Sequence, residues 1–364
     1  MSRPIEELPT PAVLVDLDVL ERNIARQADR ARAAGVRLRP HAKTHKCPEI
    51  ARMQLAAGAA GISLAKTSEA EVFAAAGFDD IFVAYPVVGS GKAERLLALS
   101  RAARLAAGVD SIEGARRLSD AFRTAEARLD VLLKIDCGYH RVGVLPEVAA
   151  AIVSEIAELP GVSLRGVFTH AGHVYSAETP GAVAEIGRQE GETLASTASA
   201  LRGAGHSIEE VSVGSTPSAR HSMRVAGVTE CRPGNYVFHD GSQVALGTCA
   251  PEDCAMTILA TVVSVPATDR AVLDAGSKTL SQDTQHPRAN GHGLILGTSS
   301  RLQSLSEEHG VARIEDGDSF RVGDRVRILP NHACVVSNLH DRLYGVRAGR
   351  VETEFRIAAR GRVE

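Results

Sequence analysis

Between residues 36 and 238, eight short apolar runs alternate with longer Ala- and Leu-rich stretches, and this alternation restricts the fold more than any other feature. The runs are VRLRPH (36–41), GISLAK (61–66), IFVAYP (81–86), RLAAGV (104–109), LDVLLKID (129–136), LRGVFTH (164–170), IEEVSVG (208–214) and TECRPGNYVF (229–238). Runs of this length read as strands. The stretches between them, such as CPEIARMQLAAG (47–58) and TSEAEVFAAAG (67–77), read as helices closed by Gly, with Thr67 or Ser68 as the expected cap of the second. Eight strand–helix alternations within about 230 residues fit a (β/α)8 TIM barrel. A doubly wound open sheet uses the same alternation, but no G-x-G-x-x-G follows the first strand, which weakens its dinucleotide-binding version.

After about residue 245 the pattern changes. DCAMTILATVVSVP, DRAVLDAGS, DSFRVGDRVRILPNHACVVSNL and RLYGVRAGRVETEFRIAARG alternate Val, Ile and Arg between short turns, with no convincing helix. The expected fold is therefore α/β: a (β/α)8 barrel over 1–245 and a C-terminal all-β domain over 246–364. TPAVLVDL (10–17), ahead of the first helix, reads as a strand that joins the second domain.

The formal net charge of -3 gives no electrostatic reason to expect nucleic acid or an anionic membrane as partner. No apolar stretch approaches the roughly 20 residues of a membrane span. MSRPIEELPT lacks the apolar segment of a secretory signal, and six scattered cysteines do not form a disulfide framework, so a reducing cytoplasm is expected.

In a (β/α)8 barrel the chemistry sits where strands run into the loops that follow them, and the polar residues of this chain cluster there. Strand one runs into His41, Lys43, His45 and Lys46. Strand five runs into DCGYHRVGV, with Asp136, His140 and Arg141, and strand six into THAGHVYS, with His170, His173 and Tyr175. GSTPS (214–218) after strand seven offers backbone N–H groups, the hydroxyls of Ser215 and Thr216 and a helix start, which suits a phosphate. Gly234 and Asn235 after strand eight close the other side, although GSTPS alone reads equally as a cap and turn. A lysine at a strand end opposite a phosphate loop is the layout for pyridoxal phosphate, whose aldehyde condenses with an amine. K-x-x-K alone is a solvated turn. In this setting Lys43 shares a face with Arg39 and His41 by strand alternation, whereas Lys46 has moved toward the helix, so Lys43 is the expected attachment point.

LPNHACVVSNL (329–339) reads as a strand whose period-two alternation puts His332 and Cys334 on one face. Spacing alone favours core packing there. Cys249 and Cys254, in CAPEDC, lack the partners of a zinc site and read as loop thiols.

Taken in order, RPHAKTHK, HRVGV, HAGHVY, GSTPS, PGNYVF and PNHAC resemble the D-threonine aldolase and D-serine dehydratase family, a group of alanine-racemase-like (fold type III) pyridoxal phosphate enzymes. The resemblance implies a homodimer acting on a small amino-acid substrate of D configuration. Lys43 would carry the Schiff base, Arg141 would meet the cofactor's phenolic oxygen, and Tyr175 would face its pyridine nitrogen. Ser215, Thr216, Gly234 and Asn235 would hold the phosphate, with Tyr236 as a neighbour. It also implies a divalent metal at His332 and Cys334. An imidazole–thiolate pair favours zinc over manganese or magnesium. In the resemblance, His-x-Cys belongs with the dehydratases and His-x-Asp with the aldolases, whereas VSNLHD follows the aldolase pattern. His170 and His173 are candidates for proton transfer or for orienting their neighbours. The expected activity is a D-serine-type dehydratase, with retro-aldol cleavage as the alternative. A racemase would need bases on both cofactor faces and has no use for a metal at the β-carbon. A non-catalytic pyridoxal phosphate carrier of similar barrel form would lack the second domain.

Overall fold

The computed structural model describes residues 3–283 and 286–364. Eight parallel strands make one sheet: Arg37–Leu38, Ile62–Leu64, Asp80–Pro86, Arg104–Val109, Leu129–Lys134, Val162–Phe168, Glu210–Val213 and Glu230–Cys231. From the second to the eighth each pairs with its successor, and the eighth pairs with the first. A parallel bridge between His41 and Ser63 joins the first to the second and closes the barrel. All eight expected strands are present, five of them shorter than their apolar runs. The eighth stops at Cys231, before Pro233, which has no N–H for a ladder, and Asn235–Val237 form a 3-10 turn.

Helices cover the barrel because their apolar residues recur at helical spacing. In Ile112–Thr124, Ile112, Ala115, Leu118 and Phe122 are buried and the Ser111 hydroxyl caps the first turn by accepting from Gly114 N. The cap expected at Thr67 or Ser68 is corrected. Lys66 is the first-turn boundary, and the Glu69 carboxylate accepts from Ala65 N (2.8 Å) and Lys66 N (3.1 Å). The Thr67 and Ser68 hydroxyls instead donate to Glu364 O.

The barrel interior is apolar at mid-height, where Phe82, Ala106, Leu132 and Phe168 cluster, but it also holds an ionic layer. Arg39, only 2% exposed, donates to Asp80 (2.6 Å) and Glu230 (2.8 Å), and Ser212 Oγ donates to Glu230 (2.6 Å). Every charge in this layer has a partner, as a buried ion must.

The second domain is a closed ring of six antiparallel strands: Met256–Ala267, Arg270–Leu273, Gly310–Arg313, Arg301–Leu305, Gly293–Ile295 and Arg325–Pro330. Ala12–Asp16 lies beside it, antiparallel to Met256–Ala267 and parallel to Arg342–Arg347. One expectation fails here. Ala333–Leu339 is a helix, not a strand. Its buried residues Ala333, Val336 and Ser337 fall at spacings of three and four, and Asp240 accepts Ala333 N (3.0 Å), so packing and a distant cap override the β-branched composition. Among the described residues no helix is long and apolar enough to cross a membrane.

Candidate active site

Strand alternation ends at His41. The next residues, Ala42–Thr44, form a single 3-10 turn, so Lys43 reaches the rim from a turn and not from the strand as expected. Lys43 is exposed, and its charge disfavours the imidazolium forms of His41 and His170 and favours the Cys334 thiolate. Lys46 has a different fate. It is buried, with its backbone in the left-handed region (φ 54°), and its Nζ is tied to Asn338 Oδ1 (2.8 Å) and Glu69 (3.3 Å). Of the two lysines in K-x-x-K, one is structural and the other has its amine at the barrel mouth.

The loops after strands six and seven are held by one carboxylate. Glu190, on the long helix Pro180–Gly203, is fully buried and accepts from Ala171 N (3.0 Å), Gly214 N (3.2 Å) and Ser218 Oγ (2.6 Å). Gly214 has φ 126°, and a Cβ there would meet Arg232 N at 2.9 Å, so only glycine turns this corner. The Thr216 hydroxyl accepts from Tyr236 N (3.1 Å), which joins the loop after strand seven to the one after strand eight. A Cβ on Gly234 would meet His41 O at 2.7 Å and Thr44 Oγ1 at 2.8 Å. Gly234 thus permits close approach between the loops of strands eight and one. The Tyr236 phenol turns away from the mouth and accepts from Gln54 Nε2 (2.9 Å).

His170 Nδ1 lies 3.2 Å from Gly214 O and so carries the proton, leaving Nε2 as the ring's free acceptor. Burial, with the charges of Lys43 and Lys134, keeps His170 neutral well below its ordinary value. His173 is lowered chiefly by burial, and its buried Nδ1 has no partner. Burial raises the Tyr175 phenol, whose hydroxyl meets Gln243, so it stays neutral. Arg141 is exposed, with its guanidinium 4.7 Å above the Tyr139 ring. Two cations escaped the sequence reading. Lys134 is buried with Nζ 4.5 Å from the Phe168 ring centroid, and burial plus the Arg232 charge pull it down to about 7. Arg232 donates to Ser212 Oγ (2.6 Å) and Thr169 O (2.5 Å), while its Nε is buried without a partner.

The second domain delivers its pair to the same place. His332 precedes the helix Ala333–Leu339, and its side chain is hydrogen-bonded to Cys334. Cys334 Sγ sits 3.2 Å from Thr44 Oγ1, the neighbour of Lys43, and 3.8 Å from Asn235 Nδ2. Asn235 is itself fixed by donation to Asp240 (2.6 Å). Burial opposes the charge on His332, but Asp283 at 2.8 Å and Cys334 outweigh it and raise the imidazole to about 10. Burial also opposes the Cys334 thiolate, and His332, Thr44 and Lys43 outweigh it. Among the described residues no group of three or more His, Cys, Asp or Glu side chains is arranged to hold a metal ion.

The residues fit both groups suggested by the sequence. The unpartnered buried atoms His41 Nδ1, His173 Nδ1, Arg232 Nε and Asn235 Oδ1 surround the mouth, and an amine and a hydroxyl-lined loop belong to it. The His332–Cys334 donor set is that of a borderline-soft divalent ion.

Residues 15–241 match the family described as alanine racemase, N-terminal domain, and residues 255–346 the putative serine dehydratase domain. The chain is 38% identical to a D-threonine aldolase of Arthrobacter sp., over 98% of this chain and 94% of that one. It is 39% identical to a D-threo-3-hydroxyaspartate dehydratase of Delftia sp. (strain HT23), over 92% and 93%. The crystal structure of D-threonine aldolase from Filomicrobium marinum superposes with a TM-score of 0.93 at 34% identity, over 100% and 99% of the two chains. The chain belongs to the D-threonine aldolase and D-serine dehydratase family, and is an alanine-racemase-like, pyridoxal phosphate-dependent lyase of D-amino acids.

Proposed function

We propose that the chain is a dehydratase of β-hydroxy-D-amino acids, of the D-serine type, that uses a divalent metal at His332 and Cys334. The observation that carries this reading is the thiol beside Lys43: Cys334 Sγ lies 3.2 Å from Thr44 Oγ1, and the family resemblance puts His-x-Cys with the dehydratases and His-x-Asp with the aldolases. A thiolate–imidazole pair selects zinc over manganese or magnesium.

Lys43, Arg141, Tyr175, Ser215, Thr216, Gly234 and Asn235 would hold pyridoxal phosphate, which would supply an electron sink for the bonds at Cα, and His332 and Cys334 would hold a metal that would supply a Lewis acid for the β-hydroxyl. Lys43 Nζ would take the α-proton. Tyr175 would offer the cofactor a neutral phenol, which would not fix a ring proton as a carboxylate does; this would temper the sink and limit unwanted carbanion chemistry. Neutral His170 Nε2 and His173 accept protons at the mouth and hand them to the departing oxygen. The competing retro-aldol cleavage needs one of these imidazoles to take the β-hydroxyl proton instead, and the relatives include both activities. Homodimer assembly and a cytoplasmic location belong to the same reading.

The test is a product assay on the metal-loaded holoenzyme with D-serine, D-threonine and D-3-hydroxyaspartate. Keto acid and ammonia are expected. Glycine with an aldehyde, and no keto acid, overturns the dehydratase assignment.

A further inference from the structure

The segment from His239 to Cys254 carries a second nucleophilic cluster that the lyase chemistry does not use. Cys249 and Cys254, both free thiols, bracket the turn CAPEDC. The turn is closed by its own backbone: Asp253 N donates to Ala250 O (3.0 Å) and Cys254 N to Pro251 O (3.1 Å), while the Asp253 carboxylate accepts from Ala250 N (3.2 Å). This closure brings the two thiols into hydrogen-bond contact, and Cys249 also contacts the His239 imidazole. His239 is buried, sits at φ 49°, and its Nδ1 has no partner.

The two sulfurs are not equivalent. Cys249 is half-buried, and the bond from Cys254, with that from His239, lowers its thiol to about 6 against the effect of burial. Cys254 lies deeper, 9% exposed, and is driven up. An accessible thiolate beside a protonated partner thiol is the arrangement of a nucleophilic and a resolving cysteine.

We propose that Cys249 and Cys254 form a reversible disulfide and are a redox-modification site on the segment that frames the active-site mouth. The oxidant is a hydroperoxide. The Cys249 thiolate attacks its terminal oxygen, the O–O bond breaks, and the departing oxygen leaves as water or alcohol after taking a proton. The sulfenic acid formed is then attacked by Cys254, the S–S bond forms, and the sulfenic oxygen leaves as water with the Cys254 proton. Two equivalents of a small thiol reverse the change by exchange, and are themselves oxidised to a disulfide. The segment links this site to the mouth. Thr248 donates to Gln243 Oε1 (2.8 Å), Gln243 meets Tyr175, and Asp240 holds both Asn235 and Ala333 N.

The test treats the full-length holoenzyme with hydrogen peroxide, then alkylates it and maps its peptides without reduction. A 249–254 cross-link that disappears on thiol treatment is expected, with alkylatable cysteines falling from six to four. In Cys254→Ser the reaction should stop at a sulfenic acid on Cys249 that dimedone captures, and in Cys249→Ser neither product should form. The proposal fails if both cysteines stay alkylatable while other cysteines oxidise, or if Cys249→Ser leaves Cys254 as readily oxidised as before. Neither result depends on lyase activity, so failure here leaves the proposed function standing.

Discussion

Glu190 offers the sharpest test of how the mouth is assembled. Its carboxylate accepts from two backbone amides, Ala171 N and Gly214 N, and from Ser218 Oγ, with no exposure to solvent. In Glu190→Ala, Ser218 can still bond Ser215 Oγ at 2.9 Å, but two buried amides lose their only acceptor. At about 1–3 kcal/mol per stranded group the loss is about 2–6 kcal/mol, and the cavity adds to it. Glu190→Gln keeps an acceptor for the amides and gives up only the charge, which should cost about 1–2 kcal/mol. The two amides belong to loops that carry His170 and Ser215, so cofactor affinity should fall with stability and in the same order, Gln before Ala. Urea denaturation of the apoprotein and an absorbance titration with pyridoxal phosphate measure the two effects. If Glu190→Ala stays within about 0.5 kcal/mol of the parent, or loses stability with unchanged cofactor affinity, Glu190 does not anchor the mouth.

Three further outcomes are expected. Lys43→Ala should abolish the protein-bound imine absorption, whereas Lys46→Ala should keep it and instead lower stability, because it strands the Glu69 side of a buried ion pair. Chelation of the metal, or Cys334→Ala, should eliminate lyase turnover while the imine absorption persists, and added zinc should rescue only the parent. Lys134 is held at about 7 in the fold against 10.5 ordinarily, so burial of its charge costs stability fully below pH 7, and this cost is relieved as pH rises toward 10.5. Lys134→Met should therefore be more stable than the parent at pH 6 by a margin that shrinks toward pH 10, and a margin constant with pH in urea melts would refute this.

The strands were legible because a barrel strand buried on both sides must be apolar throughout, which single-residue substitutions do not disguise. The segment with His332 and Cys334 was misread for a related reason. ACVVSNL contains the β-branched residues of a strand, and its helical start depends on Asp240, 93 positions away, which no local window contains. Lys134, Arg232 and Glu190 were missed because each is one charge in an otherwise ordinary element. The only available signal was position, since Lys134 ends an apolar run and Arg232 shares the alternation of Glu230. The histidines and GSTPS stood out because they gather several polar residues in loops, but which lysine was free depended on Glu69 and Asn338, and only the folded chain brings these to Lys46.

The strand Ala12–Asp16 precedes every strand of the barrel in the chain, yet its two neighbours, Met256–Ala267 and Arg342–Arg347, follow all of them. During synthesis the nascent chain must carry this Ala-Val-Leu-Val edge through the whole of the barrel's production, open to mispairing with any other exposed edge. Ribosome stalling, chaperone supply and temperature should accordingly influence the yield of this protein more than the stability of its finished form would suggest.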